Sequence, residues 1–300
     1  MELRHIRYFV AVAEELNFTR AAQRLSIAQP PLSRQIRDLE EELEAQLFER
    51  SNHGLTLTPE GDAFLVHARE LLSLVERSKE DISELQNGLR GTISIASVEG
   101  SVPQQLAAWI GRFKERFPLV QYTIQDGSTD DVTALISSGQ CDLGLITEPH
   151  NEEGLAAISL YSEPWTAMIP ADDPLAQDGS DVLPLSALLD RDLIIPSRSS
   201  RLDEIRRWFP EPYPELRVRC RVSHFLNAYE LVRKSVGIAI FPDIRKLDMD
   251  FSDIVVKRLV EPSVSLDYIL VWERSRKLSR SAQAFLDFIC TEQGMDGPET

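Results

Sequence analysis

The chain has 300 residues, 32 basic and 48 acidic, for a formal net charge of -16. That balance argues against a uniformly basic nucleic-acid-binding protein, and no apolar run approaches the ~20 residues of a membrane span. Three scattered cysteines (Cys141, Cys220, Cys290) argue against a disulfide framework, and each is most simply a small core residue.

The first 58 residues carry the strongest local pattern. Leu3, Ile6, Phe9, Val10, Ala13 and Leu16 recur at helical spacing, so an amphipathic helix is expected there. A short helix from Thr19 to Leu25 follows, with Asn17 or Thr19 as its cap. Ala21, Ala22 and Leu25 give it a narrow apolar face. A four-residue link, Ser26 to Gln29, leads to Pro30 and Pro31, which suit a helix start. That helix is expected to run through Leu32, Ile36, Leu39 and Leu43, with Ser33, Arg34 and Arg37 on its outer face. Two helices joined by a tight turn form the arrangement that reads a major groove. The same pattern also fits an ordinary helical hairpin with solvated arginines.

Charge distribution bears on that choice. Residues 1 to 37 hold six arginines against three acids, and residues 38 to 49 hold six acids and no base. The basic end of the second helix is therefore its N-terminal end, where groove-reading residues sit. The acidic continuation, Asp38 to Glu44, is expected to face away from DNA. Turn residues Glu49 to Gly54 and the alternating Leu55 to Thr58 then predict a two-stranded wing, with Arg50 and His53 near its tip.

From Phe64, the positions Phe64, Ala68, Leu71, Val75, Ser78, Ile82, Leu85 and Leu89 follow spacings of 4 and 3 in turn. That is a heptad seam, which predicts a coiled coil between two copies. Its alternative is a long helix packed on its own domain. The Gly88 and Gly91 region ends it.

Beyond Gly91 the pattern alternates strands and helices. Strands are expected at Thr92 to Ser97, Val120 to Gln125, Cys141 to Ile146, Trp165 to Ile169, Leu193 to Ile195, Arg217 to Val222, Gly237 to Phe241 and Leu266 to Trp272. Helices are expected at Gln104 to Phe117, Val132 to Ile136, Leu185 to Leu189, Leu202 to Phe209, Leu226 to Lys234 and Ser281 to Ile289. Such alternation means α/β layers with mainly parallel sheets. A second unit starts near Ser162, the last strand and helix return to the first, and the final eight residues form a flexible tail.

No catalytic or phosphate-loop signature is present, and the five scattered histidines offer no metal spacing. The α/β part instead offers polar residues just past strand ends: Ser97, Ser101, Ser128, Thr129, Thr147, Ser197 and Arg201. Ligands of open α/β sheets bind at the carboxyl ends of strands, and helix N-termini favour anions. A small polar or anionic effector between two lobes is the expectation. Each residue alone also fits an ordinary cap or loop.

The stretch ELRHIRYFVAVAEELNFTRAAQRLSIAQPPLSRQIRDLEEELEAQLFER, followed by LTLTPEGDAFL, resembles the N-terminal domain of LysR-type transcriptional regulators nearly continuously over Glu2 to Leu65. FPLVQ, CDLGLI and VGIAIFP are similar to segments of that family's effector domain. The resemblance implies a winged helix-turn-helix over 1–58, a linker helix for dimerisation over 59–89, and an effector domain over 90–292. That last part divides into subdomain I (about 91–161 and 266–292) and subdomain II (about 162–265), like a periplasmic binding protein. By similarity, Gln29, Pro30, Pro31, Ser33 and Arg34 reach the major groove, Arg50 the flanking backbone, and Asn17 and Thr19 phosphates. His53 departs from the arginine that many relatives carry in the wing. The implied partners are double-stranded operator DNA, a small co-inducer and further copies in a homodimer or homotetramer, with RNA polymerase a further candidate. No cofactor is expected, and the scattered, odd-numbered cysteines make the cytoplasm the expected home. The competing class is a small-molecule binding module or enzyme whose helical N-terminus merely dimerises it.

Overall fold

Apolar residues at helical spacing fold the first 60 residues around one small core. The computed structural model describes residues 1–51, 54–87, 89–98, 102–148, 153–197, 199–210, 215–247 and 249–295. Helix α1 spans Leu3–Glu15, α2 Phe18–Arg24 and α3 Gln29–Glu42. Phe9 and Val12 of α1 meet Ala21 of α2 and Leu32, Ile36 and Leu39 of α3, all buried. Asn17 rather than Thr19 is the cap of α2. Its Oδ1 accepts from the Thr19 N–H at 2.9 Å and the Arg20 N–H at 3.1 Å, so the helix starts at Phe18.

The link keeps its expected four residues but lies one position earlier, Leu25 to Ala28. Ser26 is left-handed (φ 55°), and the Ile27 N–H donates to the Ala22 carbonyl at 3.0 Å, the pattern that ends a helix abruptly. Ala28 then caps α3, and Gln29 is its first helical residue. Pro30 and Pro31 lie in the first turn, where a missing N–H removes no helical bond. Helix α3 stops at Glu42, with Leu43 as its C-cap rather than a helical residue.

Strands β1 (Phe48–Ser51) and β2 (Gly54–Leu57) form the antiparallel wing, with Phe48 opposite Leu57. The Glu40 carboxylate accepts from the Leu47 N–H at 2.9 Å and the Phe48 N–H at 3.2 Å. The acidic stretch therefore does more than face away, because it ties the wing to α3. Helix α4 (Pro59–Asn87) follows behind Thr58, whose Oγ1 accepts from the Gly61 N–H at 2.9 Å. A Cβ on Gly61 would lie 2.1 Å from the Leu47 carbonyl oxygen. Gly61→Ala is therefore expected to destabilise the N-terminal domain by about 1–3 kcal/mol through overpacking. Calorimetry should show its transition lowered while the α/β transition stays in place.

At 1.5 Å per residue α4 is about 44 Å long. Its heptad seam is divided between two jobs. Phe64 packs against Phe9 with ring centroids 4.9 Å apart, and Ala68 is buried, so the first turns serve their own domain. Leu71 and Ser78 are exposed, Val75 is half-buried, and Leu89 packs on the α/β core. The side chains of Ile82 and Leu85 lie outside the described residues.

The first lobe builds β3 (Gly91–Ser97), α5 (Val102–Arg116), β4 (Val120–Asp126), α6 (Thr129–Ser137) and β5 (Leu143–Thr147). β3 lies parallel between β4 and β5. All five residues of β5, which lies between parallel β3 and antiparallel β12, are buried, as a central strand covered on both faces requires. The next strand departs from expectation: β6 runs sixteen residues, Leu155–Pro170, without a break at residue 162. Its first part pairs with β12 (Ser265–Glu273) in the first lobe, and its second part pairs with β10 (Ile238–Pro242) and β11 (Ile254–Val260) in the second. One strand thus belongs to both lobes.

The second lobe adds β7 (Val182–Pro184), β8 (Leu193–Pro196), α7 (Ser199–Arg207), β9 (Val218–Val222) and α8 (Phe225–Arg233). Strands β7 and β11 have no counterpart in the sequence reading, and Leu185–Leu188 is a short 3-10 helix rather than an α-helix. The sheets are mixed: β12, β6 and β11 run antiparallel to their neighbours, apart from the parallel pair β11–β7. Helix α9 (Arg280–Glu292) returns to the first lobe, where Phe285 packs 5.0 Å from Phe113. Gln293 to Met295, expected in the tail, instead close α9, since the Met295 N–H donates to the Cys290 carbonyl at 2.9 Å.

Candidate DNA-reading and effector sites

Most of the N-terminal arginines are already spent. Arg4 pairs with Glu2 at 3.2 Å, Arg20 with Glu15 at 3.5 Å, and Arg24 with Glu14 at 2.7 Å. The hydrogen bond and charge of Glu14 raise the Arg24 pKa further above its ordinary value. Arg34 and Arg37 differ: both are exposed, and neither pairs with a carboxylate among the described residues. The local positive balance therefore resolves into two uncompensated cations on one face of α3. Gln29, Pro30 and Pro31 are exposed on its first turn, and Ser33 is half-buried.

The other predicted positions fare differently. Asn17 is committed as a cap, while the Thr19 side chain is exposed. Arg50 stands on β1 opposite Leu55, with its side chain outside the described residues, and His53 lies outside them altogether.

The second site lies where the lobes meet. Thr129 opens α6 and Thr147 ends β5, both in the first lobe, whereas Arg201 sits on α7 of the second. The Thr129 hydroxyl is 3.2 Å from the Thr147 hydroxyl, and an Arg201 Nη donates to Thr147 Oγ1 at 2.7 Å. All three are buried, and Arg201 is only 6% exposed. Its other Nη donates to Glu204, and its guanidinium lies 5.8 Å from the Trp165 ring centre. A planar cation is thus held rigidly between lobes.

A cavity of about 520 Å³ opens on this cluster, lined also by Ser128, Ser197 and Asp126. A smaller apolar cavity of about 110 Å³ adjoins it, walled by Trp165, Phe241, Ile244 and Leu266. Of the predicted residues, Thr129, Thr147, Arg201, Ser128 and Ser197 are brought together here. Ser97 is buried behind them with its hydroxyl donating to Asp126 at 3.4 Å. Ser128 is partly spent: it caps α6 in a reciprocal box with Asp131. Ser101 lies outside the described residues. Ser223 and His224, just past β9, also line the cavity and were missed, although the strand-end rule that found Ser97 applies to them equally.

The thiols take no part in the site. Burial pushes the Cys141 thiol up to about 11, helped by the charge of Asp142, and burial also raises that of Cys290. Among the described residues no group of three His, Cys, Asp or Glu side chains could hold a metal ion.

Comparison with known proteins decides the family. Residues 86–293 match the model of the LysR substrate binding domain, and residues 3–62 match that of bacterial regulatory helix-turn-helix proteins of the lysR family. The chain belongs to the LysR family. It is 32% identical over 292 residues to the HTH-type transcriptional regulator YnfL of Escherichia coli K12, covering 95% of this chain and 96% of that one. It is 31% identical over 304 residues to the regulator IlvR of Caulobacter vibrioides, covering 98% and 99%. Its fold matches that of full-length CbnR in complex with target DNA (TM-score 0.73, 24% identity, 97% and 99% coverage). This LysR-type protein is a ligand-responsive, DNA-binding transcriptional regulator and not an enzyme, which sets aside the competing class. No helix among its described residues is long and apolar enough to cross a membrane.

Proposed function

We propose that α3 enters the operator major groove and that Arg34, with Gln29, Pro30, Pro31 and Ser33, reads base edges. Arg37, Thr19, Asn17 and the wing residues Arg50 and His53 then contact the backbone beside it. The observation that carries this reading is the pair of uncompensated cations, Arg34 and Arg37, on the exposed face of α3. Arginine is the commonest reader of guanine in the major groove. Selecting binding sites from random duplexes with the full-length protein tests it: a recurrent two-half-site sequence is expected, and unselective binding would overturn it.

The effector in this reading is a small anion held by Arg201, Thr147 and Thr129, with Ser97, Ser101, Ser128 and Ser197 around it. Because its contacts span both lobes, it biases their relative position. The linker helices then re-space the reading heads on DNA, a population shift rather than a local switch. The protein acts in the cytoplasm as a homodimer or homotetramer, with RNA polymerase as its downstream partner.

Dimerisation through α4 is supported by the exposure of Leu71 (37%) and Leu74 (54%) on successive turns. Two such helices hold reading heads about one DNA turn apart, the spacing a two-fold operator requires. Leu71→Asp is expected to lower the sedimenting mass by half, or to weaken self-association at least tenfold. An unchanged mass at micromolar protein would retire α4 as the dimer seam.

A further inference from the structure

The lobe-crossing strand β6 leaves one edge of the first lobe open. In that sheet the order is β4-β3-β5-β12-β6, so among the described residues the first part of β6 has a neighbour on one side only. The Arg274 N–H donates to the Gly154 carbonyl at 2.9 Å, one step beyond the Leu155–Glu273 pair. Bonded and non-bonded pairs alternate along an antiparallel ladder. Ala156 and Ile158 therefore bond to β12, while Leu155, Ala157 and Ser159 turn their N–H and C=O groups outward. The Arg274 guanidinium occupies the Leu155 carbonyl at 2.8 Å. Among the described residues nothing occupies the outward groups of Ala157 and Ser159, both exposed. Natural edge strands are usually blunted by charge or proline. The run LAAISLYS from Leu155 to Ser162 has neither.

Beside this edge lies a groove of about 1050 Å³ between β6 and α9. Its apolar lining includes Ile158, Trp272, Leu278 and Ala284. Its lining is mainly cationic: Arg274, Arg276, Lys277 and Arg280 face one carboxylate, Asp287, which accepts from the Gln283 amide at 2.9 Å, in a chain of charge -16. Arg276 is used internally, donating to the Ile136 carbonyl at 3.0 Å. Arg274, Lys277 and Arg280 are exposed, and Arg280 pairs with no carboxylate among the described residues.

We propose that this groove docks an extended acidic segment of a partner protein, which adds to the open edge of β6 as a further strand of the first lobe. Backbone pairing supplies affinity, alternate side chains settle on the apolar floor, and carboxylates meet the cationic rim. Duplex DNA fits less well, because phosphates need neither strand partners nor an apolar floor. The site is separate from the inter-lobe cleft, so it can carry a partner whether or not effector is bound.

The test uses the full-length protein and a fluorescein-labelled ten-residue peptide of alternating Glu and Val. Saturable binding by anisotropy is expected, and the matching Lys–Val peptide should not bind. Ala157→Pro removes an outward N–H without touching the β12 ladder, and Arg280→Glu reverses a rim charge. Each should weaken the acidic peptide about tenfold while leaving operator affinity within twofold. Equal binding of the Lys–Val peptide, or unchanged binding by Arg280→Glu, overturns the proposal even if Ala157→Pro fails to fold. Displacement of the peptide by a non-operator duplex would assign the patch to DNA instead and also overturn it.

Discussion

Arg34→Ala is expected to lower affinity for the selected operator by about 10- to 100-fold, the 1–3 kcal/mol of one bidentate base contact. The dimer should survive, because Arg34 is exposed and ties no helix to another. Arg24 is the internal control. Held by Glu14 at 2.7 Å and Glu15 at 3.6 Å, it is compensated, and Arg24→Ala should leave operator affinity within about threefold. Salt separates the two kinds of contact. If Arg34 reads a base, specific binding falls more than binding to random duplex, and the salt slope stays nearly constant. Arg37→Ala should weaken both kinds of binding and reduce the log–log slope by about 0.9. Electrophoretic mobility shifts across a salt series measure all of this. Normal operator binding by Arg34→Ala would remove α3 from the groove.

Arg201→Ala is the second large effect, expected to abolish effector response while leaving effector-free operator binding unchanged. Truncating one member of a buried charged network typically costs 2–5 kcal/mol, about 30- to 5000-fold in effector affinity. A thermal-shift screen of small carboxylates and phosphates supplies the ligands. A compound at 100 times its Kd stabilises the native state by about 2.7 kcal/mol. Compounds that stabilise the wild-type protein should lose that effect in Arg201→Ala and keep part of it in Arg201→Lys. Equal shifts in the wild-type protein and Arg201→Ala would move the effector away from this cluster. Thr147→Val probes the same link from the other lobe, because it removes the hydroxyl that accepts from Arg201. It should weaken the same ligands and lower stability by about 1–3 kcal/mol, since it leaves the buried Arg201 N–H and Thr129 hydroxyl without their partner.

These two sites were legible in the sequence to different degrees. The DNA-reading unit is local: its caps, turn, prolines and arginines all fall within about twenty consecutive residues, so spacing alone outlines it. The sequence did not say that Asn17 is consumed as a cap, or that Arg20 and Arg24 are neutralised by Glu15 and Glu14 across the helix pair. Charge counted along a chain is not charge presented at a surface.

The effector cluster is non-local. Thr129, Thr147 and Arg201 were each marked by the strand-end rule, yet nothing in their spacing said that they touch. Residues 147 and 201 meet because β6 carries the chain from one lobe into the other and sets their strand ends facing. That strand was itself read short, as Trp165 to Ile169, because Pro164 and a half-exposed run before it mask a continuous element. Pro164 is tolerated because β6 changes partners there, from β12 to β10 and β11.

The heptad seam shows the same division. Its periodicity lay in the chain by itself, and so did a helix ending near Asn87. Only packing decided that Phe64 and Ala68 turn inward against α1 while Leu71 and Ser78 stay exposed. A seven-residue repeat records that a stripe is apolar but not what covers each part of it. By itself, then, the sequence determined the helix-turn-helix, the class of each α/β layer and the cationic first half of α3, because those depend on neighbours in the chain. The tertiary structure decided which arginines remain uncompensated, which hydroxyls surround Arg201 and which edge of β6 stays open, because those depend on residues the chain brings together from far apart.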